Sequence, residues 1–364
     1  MCGIICVVSR PSARPLPLAA DILDALDRAI AAGTAGNIAE SGRLVGEADA
    51  SLRGESGLGT LIDNVALVTG LVSRVDQLDA LAAGAELQLE SESGLSTREV
   101  ERRSNELIAL RDATWSLRND RLRTAKAVGE LAGKDASASA RNAYLSIQQA
   151  FSALDRMEVR GRDSAGVNVL VWGHDLDATD KRVAPLLAGR LDDALFTNGS
   201  VRVGAGNRAW SFVYKAAAEI GELGDNTRAM RTTVANDALL RLLVNQPHAR
   251  VSILGHTRWA SVGIISEPNA HPVNSEEVGG NSAAPYMLAA LNGDVDNHAD
   301  IKVRNGLKIA EPITTDAKVI PTVVARKSAA GMSFVDSFRE TVAEFEGSVA
   351  IAVASADEPN SMML

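Results

Sequence analysis

From Leu18 to Met157 the chain runs without a single proline, rich in Ala, Leu, Arg and Glu. Apolar positions there recur at three-, four- and seven-residue spacings, the pattern of amphipathic helices. Ser96 and Glu99 form a capping-box pattern ahead of Val100, Leu107, Leu110, Leu117, Val128 and Leu131, which lie on one side of a helix. A continuous helix over Thr97–Ala132 would be roughly 50 Å long. Leu58–Leu81 has the same character, and the Gly-, Ser- and Glu-rich link Gly84–Leu95 is the expected turn of an antiparallel helical arm or small bundle.

The segments flanking this stretch are different. Residues 2–8, Cys-Gly-Ile-Ile-Cys-Val-Val, read as a short buried strand closed by the Pro-containing stretch Ser9–Pro17. A helix is expected over Ala138–Val159, stopping near Gly161. Beyond it, Gly166–Trp172, Val201–Val203, Val251–Gly255, Met287–Leu291 and Ser348–Ala354 read as strands, with helices at Thr227–Asn245, Asp316–Arg326 and Ser333–Phe345. The expectation is a layered domain of helices and strands, interrupted after its first strand by a helical insertion.

Composition narrows the function classes. The chain of 364 residues is 46% hydrophobic and 23% charged, as in ordinary globular proteins. Its net charge of −9 argues against broad binding to nucleic acid or to an anionic membrane. No long apolar run and no signal-peptide pattern occur, so a cytoplasmic setting is expected. A small soluble ligand is the default partner.

The two cysteines, Cys2 and Cys6, both fall in the first strand. They are too few for a disulfide framework, and no His/Cys/Asp cluster has metal spacing. Cys6 reads as a small core residue. Cys2 follows Met1, and removal of that methionine would expose a residue with both a thiol and a free α-amine. Their unperturbed pKa values lie near ~8.5 and ~7.7–8, so together they form a nucleophile and base without a histidine.

Five further segments share a logic with Cys2. They are Arg160-Gly161-Arg162-Asp163-Ser164-Ala165-Gly166, Gly255-His256-Thr257-Arg258-Trp259-Ala260-Ser261, Asn269-Ala270-His271-Pro272, Leu291-Asn292-Gly293-Asp294 with Asn297-His298, and Thr314-Thr315-Asp316. In this order behind Met-Cys-Gly, they resemble the class II glutamine amidotransferase domain, an N-terminal nucleophile hydrolase. The nearest pattern is the glutaminase domain of the glucosamine-6-phosphate synthase type.

That resemblance implies an α+β fold, a four-layer αββα sandwich of two antiparallel sheets between helical layers, with a long helical insertion after the first strand. The domain would span 1–364, interrupted by an arm at 18–145, and the family's sugar-phosphate isomerase region would lie outside this chain. It also implies L-glutamine hydrolysis to glutamate and ammonia. Cys2 would attack the side-chain amide to form a thioester, its α-amine carrying the proton to ammonia. Asn292 and Gly293 would hold the oxyanion. Arg258 would clamp the substrate carboxylate, Asp316 the ammonium, and Trp259 and Ser261 would line the pocket. Arg160 would help position Cys2, and His271 would order its loop. No cofactor and no metal are implied. Ammonia would pass to an acceptor domain or partner subunit, with a sugar phosphate as acceptor, and a homo-oligomer is expected.

Plainer readings of the same residues stay open. Asn292-Gly293 is also a hairpin-turn dipeptide, Asp316 also a helix cap, Arg160 and Arg258 also solvated arginines at element ends. His256 and His298 read as hydrogen-bonded structural histidines, His174 and His248 as surface loop residues. The chain also departs from the family. Ser261-Val262 replaces the usual Thr-His, Leu291 replaces a histidine before Asn-Gly, and Gly279-Gly280-Asn281 lengthens the connection to Asn292. Two competing functions therefore remain: a binding or regulatory module on an amidotransferase fold, and an N-terminal-cysteine hydrolase for another amide.

Overall fold

The computed structural model describes residues 2–217, 222–280 and 284–364. Met1 and Asn281 lie outside the described residues. By contacts the chain divides into two compact units, one of Met1–Ser9 with Leu131–Leu364, the other of Arg10–Glu130.

In the first unit, β1 (Gly3–Val8) opens the chain. The second unit is helical: α1 (Ala19–Thr34), α2 (Ile38–Ser51), α3 (Gly54–Leu61), α4 (Val65–Ser91) and α5 (Thr97–Ser116), then a π-helical turn at Leu117–Leu122 that leads into α6 (Arg123–Ala132). α1 packs on α2 and α4, and α5 on α2 and α4. On α4 the buried residues Leu67, Leu71, Val75, Leu78 and Ala82 recur at helical spacing. Gly84 to Ser91, expected as a turn, continue α4, because no residue there forbids helix and Gly84 costs only about 1 kcal/mol. Ser96 caps α5 as expected, its side chain accepting from Glu99 N–H at 3.2 Å.

The helical unit ends earlier than the helical texture does. α7 (Ala138–Met157) packs against β1 and against β5 (Arg250–Arg258), so the stretch 131–145, assigned by its pattern to the arm at 18–145, belongs with the sheets. Periodicity reports helix, whereas the partner of its apolar face decides the unit.

The rest of the first unit comprises β2 (Ser164–Trp172), the short α8 (Ala184–Leu187), β3 (Val201–Val203), β4 (Ala209–Ala216), α9 (Asp225–Asn236) and α10 (Ala238–Val244), followed by β5. Then come β6 (Val273–Asn274), β7 (Met287–Val295), α11 (His298–Arg304), α12 (Val319–Ala329), α13 (Phe334–Val342), β8 (Gly347–Ser355) and β9 (Met362–Met363). The expected single helix over Thr227–Asn245 is broken at Asp237, whose carboxylate accepts from Leu239 and Leu240 N–H at 3.0 Å and caps α10.

The strands form two antiparallel sheets, β1-β5-β2-β4-β3 and β6-β7-β8-β9. Leu170, Val213 and Leu254 of the first share one apolar cluster with Leu288, Ala290, Ala352 and Ala354 of the second. A Cβ added at Gly255 would instead point at Ile5, Val167 and Leu154 of α7, so this helix covers the other side of the first sheet. The alternate residues of the second sheet, Ala289, Leu291, Ile351 and Val353, pack with Val319, Ile320 and Val323 of α12 and with Phe334 of α13. The strand β4 is not marked by alternation, since seven of its eight residues are buried.

One row across the first sheet is polar. His256 and Lys215 flank Gly166 in register, and a Cβ on Gly166 would run into the His271 carbonyl, so the row closes only around a glycine. Lys215 is 2% exposed, its Nζ 5.0 Å from the Phe196 ring centroid and without a hydrogen-bond partner among the described residues. Lys318 is also buried, but its Nζ donates to Asn274 O, Asn274 Oδ1 and Glu276 O at 2.5–2.8 Å.

Burial, with the nearby Lys318 charge, pushes the Lys215 amine down to about 7. Below that value folded and unfolded chains both carry the proton, and the burial penalty is fully present. Between about 7 and the ordinary lysine value only the unfolded chain binds it, so stability rises with pH, by at most about 1.4 kcal/mol per unit for this group. Urea unfolding midpoints at pH 7.5, 8.5 and 9.5 should therefore rise more steeply in the wild type than in Lys215→Met. Parallel slopes would show that Lys215 is charged in the folded protein.

Candidate active site

The pairing of β1 with β5 matches Gly3 to Thr257, which sets Cys2 beside the end of β5. The Trp259 N–H donates to Cys2 Sγ at 3.2 Å, and the thiol lies 3.5 Å from Trp259 O. Across the two sheets, Cys2 N–H donates to Asn292 Oδ1 at 3.3 Å. That bond occupies the oxygen of the Asn292 amide and leaves its Nδ2 group free as a donor.

Asn292 and Gly293 are not a hairpin turn. They lie within β7, paired with Ala350 and Val349 of β8. Gly293 has φ +122°, and a side chain there would collide with the Ser348 carbonyl.

Arg258 ends β5 and is 3% exposed. Its guanidinium donates to the carbonyls of Ile264, at 3.2 Å, and Val262, which ties down the loop after the strand. None of the described carboxylates lies within ion-pairing distance of it, and burial lowers its pKa. Asp316 is 4% exposed and accepts from Val295 N–H at 2.8 Å and Ala317 N–H at 3.0 Å. The bond to Ala317 is the local capping expected at a helix start, whereas the bond to Val295 ties the turn to β7. Burial raises the Asp316 pKa against the opposing pull of the Val295 amide and the nearby His298, and no described cation lies within ion-pairing distance of it. Two buried, oppositely charged groups therefore stand without a salt bridge, and Asp316, Cys2 and Asp163 are all near enough to Arg258 to favour its charge.

The remaining predicted residues fall into place unevenly. Trp259 is 57% exposed, so packing at a strand end does not explain it. The Ser261 hydroxyl donates to Asp294 Oδ1 at 2.5 Å. His271 is buried; Leu291 N–H donates to its Nδ1 at 3.3 Å, which leaves the proton on Nε2, 3.1 Å from Thr315 Oγ1. His271 thus links the residue before Asn292 to the residue before Asp316. Arg160 lies in a short 3-10 turn and is exposed, and no hydrogen bond joins it to Cys2 among the described residues.

Two histidine expectations change. His174 is 8% exposed and meets Trp210 edge-on at 5.4 Å, so it is a packed residue rather than a surface one. Neither ring nitrogen of His256 finds a hydrogen-bond partner among the described residues. Its ring lies 4.5 Å from that of His271, and burial with the nearby Arg258 charge pushes it down to about 3. His298 does bond, through Nδ1 to Val295 O at 3.0 Å.

Two supporting residues carry more than the motifs alone suggest. Asp163 accepts from Ala260 N–H at 2.8 Å and donates its own N–H to Arg258 O at 3.1 Å, which fixes the turn that presents Trp259 N–H to the thiol. Asn269, fully buried, accepts from Thr314 and Thr315 N–H at 2.7 and 2.9 Å and donates to Pro312 O at 3.0 Å. Both belong to the motifs named above, but what they hold lies far along the chain and is visible only once folded. Among the described residues no group of acidic, histidine or cysteine side chains could hold a metal ion.

No family model matches the chain. It is similar to proteins named glutamine–fructose-6-phosphate aminotransferase (isomerizing). That of Bacillus cereus is 31% identical over 123 residues, 34% of this chain and 19% of the relative. For Gloeobacter violaceus the figures are 35% over 114 residues, 30% and 17%; for Caulobacter vibrioides, 27% over 151 residues, 41% and 23%. The matches thus span about a fifth of these relatives' length. A solved structure titled as the allosteric regulatory enzyme of purine biosynthesis aligns with 52% of this chain and 35% of its own, at 16% identity and a TM-score of 0.30. About a third of this chain thus aligns, at 31–35% identity, with proteins named glutamine–fructose-6-phosphate aminotransferase.

Proposed function

We propose that the chain is a glutamine-hydrolysing domain that releases ammonia through a Cys2 thioester. The observation that carries this reading is the pair of buried charges without a salt bridge, Arg258 near the Cys2 thiol and Asp316 near Arg258. Burying an unpaired arginine and an unpaired aspartate costs several kcal/mol, and a zwitterionic amino acid would offset both at once. Glutamine adds the side-chain amide that the thiol attacks.

In this mechanism the α-carboxylate pairs with the Arg258 guanidinium and the α-ammonium with Asp316. With Met1 removed, the free α-amine of Cys2 takes the thiol proton as Sγ bonds to the amide carbon. Asn292 Nδ2 and Gly293 N–H donate to the developing oxyanion. The amine then delivers its proton to the departing nitrogen, the C–N bond breaks, and ammonia leaves. Water attacks the thioester, its proton passes back through the amine to the thiolate, and glutamate departs. The names of the relatives support a sugar phosphate as acceptor, of the fructose 6-phosphate to glucosamine 6-phosphate type, on a further domain or a partner subunit.

Glutamate release from L-glutamine, measured on protein whose mature N-terminus has been read by mass spectrometry, is the test. Wild type should begin at Cys2 and turn over, and Cys2→Ala should be inactive; equal rates in both, or an intact Met1 in active protein, would remove the reading. Asn292→Ala should lower kcat by about 10²–10³-fold, as loss of one oxyanion donor does. Arg258→Ala should cost about 2–5 kcal/mol in kcat/KM for glutamine, the penalty of leaving one buried charge without its partner. An amide lacking the α-carboxylate should be hydrolysed equally by wild type and Arg258→Ala; a large loss there would assign Arg258 to the fold instead.

A further inference from the structure

The motif that carries Asn292 and Gly293 ends in Asp294, an acidic residue with no part in the attack on the amide. Along β7, Leu288 and Ala290 turn toward the first sheet, whereas Ala289 and Leu291 turn toward the helices. Asn292 and Asp294 continue the inner row. Their contacts agree with that placement. Asn292 reaches the Cys2 N–H, and Asp294 Oδ1 accepts from the Ser261 hydroxyl at 2.5 Å, on the loop that follows β5. The Asp294 carboxylate is partly buried, and its Oδ2 takes no hydrogen bond among the described residues.

Asp316 is held at the same end of β7, where the N–H of the next residue, Val295, donates to its Oδ2 at 2.8 Å. The Asp294 charge adds to burial in pushing the Asp316 carboxyl up, so the two carboxylates repel each other. No arginine or lysine pairs with either among the described residues. The nearby His298 opposes the push on Asp316, but its Nδ1 bonds to Val295 O and to neither carboxylate.

Holding Ser261 needs only an acceptor, which an asparagine would supply without a charge. The charge beside Asp316 is a cost in the empty site that the chain itself does not offset. An ammonium group fits the pair. It brings three N–H donors and a positive charge, each oxygen of Asp316 already accepts one backbone N–H, and Asp294 Oδ2 has its lone pairs open. An acylated or missing α-amine would bring no charge to relieve the repulsion.

We propose that Asp294 is a second carboxylate ligand of the substrate α-ammonium, beside Asp316, and that the pair restricts the site to amides whose α-amino group is free and charged. The proposal rests on the reading of this site as glutamine-hydrolysing, and adds to it a selection by the amine end of the substrate. Glutamine whose α-amine is acylated or joined in a peptide bond, and glutaramate, which lacks that amine, are then poor substrates.

Initial rates of ammonia release from L-glutamine and from glutaramate, on the full chain with a mature Cys2 terminus, test this. Asp294→Asn keeps an acceptor for Ser261 and removes the charge. Its KM for L-glutamine should rise about tenfold with kcat within about twofold, the pattern of lost substrate binding. Its kcat/KM for glutaramate, and the Ki of glutaramate against glutamine hydrolysis, should not worsen, so the preference for glutamine falls about tenfold. An unchanged KM for glutamine in Asp294→Asn would overturn the proposal. So would a parallel loss on both compounds, the mark of a residue that only holds the Ser261 loop. Wild type that hydrolyses neither compound would instead remove glutamine hydrolysis itself, and the proposal with it.

Discussion

The antiparallel ladder between β1 and β5 is the constraint on which the site depends. Its register, Gly3 opposite Thr257, brings the second residue of the chain to the end of a strand about 250 positions later. Everything the thiol meets follows from that one alignment. Trp259 N–H reaches Sγ because Asp163 and Gly161 hold the turn after β5, with a Cβ on Gly161 only 3.0 Å from the Arg258 and Trp259 backbone. A slip of one residue would turn Cys2, Ile4 and Cys6 to the opposite face and carry the thiol away from Asn292.

The second sheet adds its part through β7, which delivers Asn292 and Gly293 at one point and receives Asp316 at Val295. His271 joins these ends, with one nitrogen on Leu291 N–H and the other on Thr315. A neutral imidazole is required for that bridge, because Nδ1 must accept. Burial and the neighbouring His256, Arg258 and Lys215 all hold His271 well below the ordinary histidine value, so the bridge keeps its tautomer across the neutral range.

Much of this was legible in the residues, and the gaps have physical causes. Strands with one-sided or apolar runs were found, including Val201–Val203 and the core of β5, β7 and β8. β4 was not, because burial on both faces erases alternation and leaves Trp210, Phe212, Tyr214 and Lys215 without a period. Asn292-Gly293 has the composition of a turn, and only its pairing with β8 shows it to be strand. Arg160 fits its motif yet faces solvent, since a motif records residue order and not direction. Lys215 could not be singled out at all: its meaning depends on Gly166 standing between it and His256, a relation that exists only across three paired strands.

Arg258 and Asp316 also explain why the site resists a purely structural reading. Were they a structural ion pair, the fold would have brought guanidinium and carboxylate within contact, since the attraction between buried opposite charges repays desolvation only at close range. Instead each is held apart by its own backbone bonds, Arg258 to the carbonyls of Val262 and Ile264, Asp316 to the amides of Val295 and Ala317. Those bonds fix the two charges without neutralising them. Such an arrangement costs stability in the free protein, and in the proposed function a zwitterionic substrate would offset that cost. Under the proposed glutamine hydrolysis, that fixed separation would match the two charges of the substrate and set its amide toward the thiol.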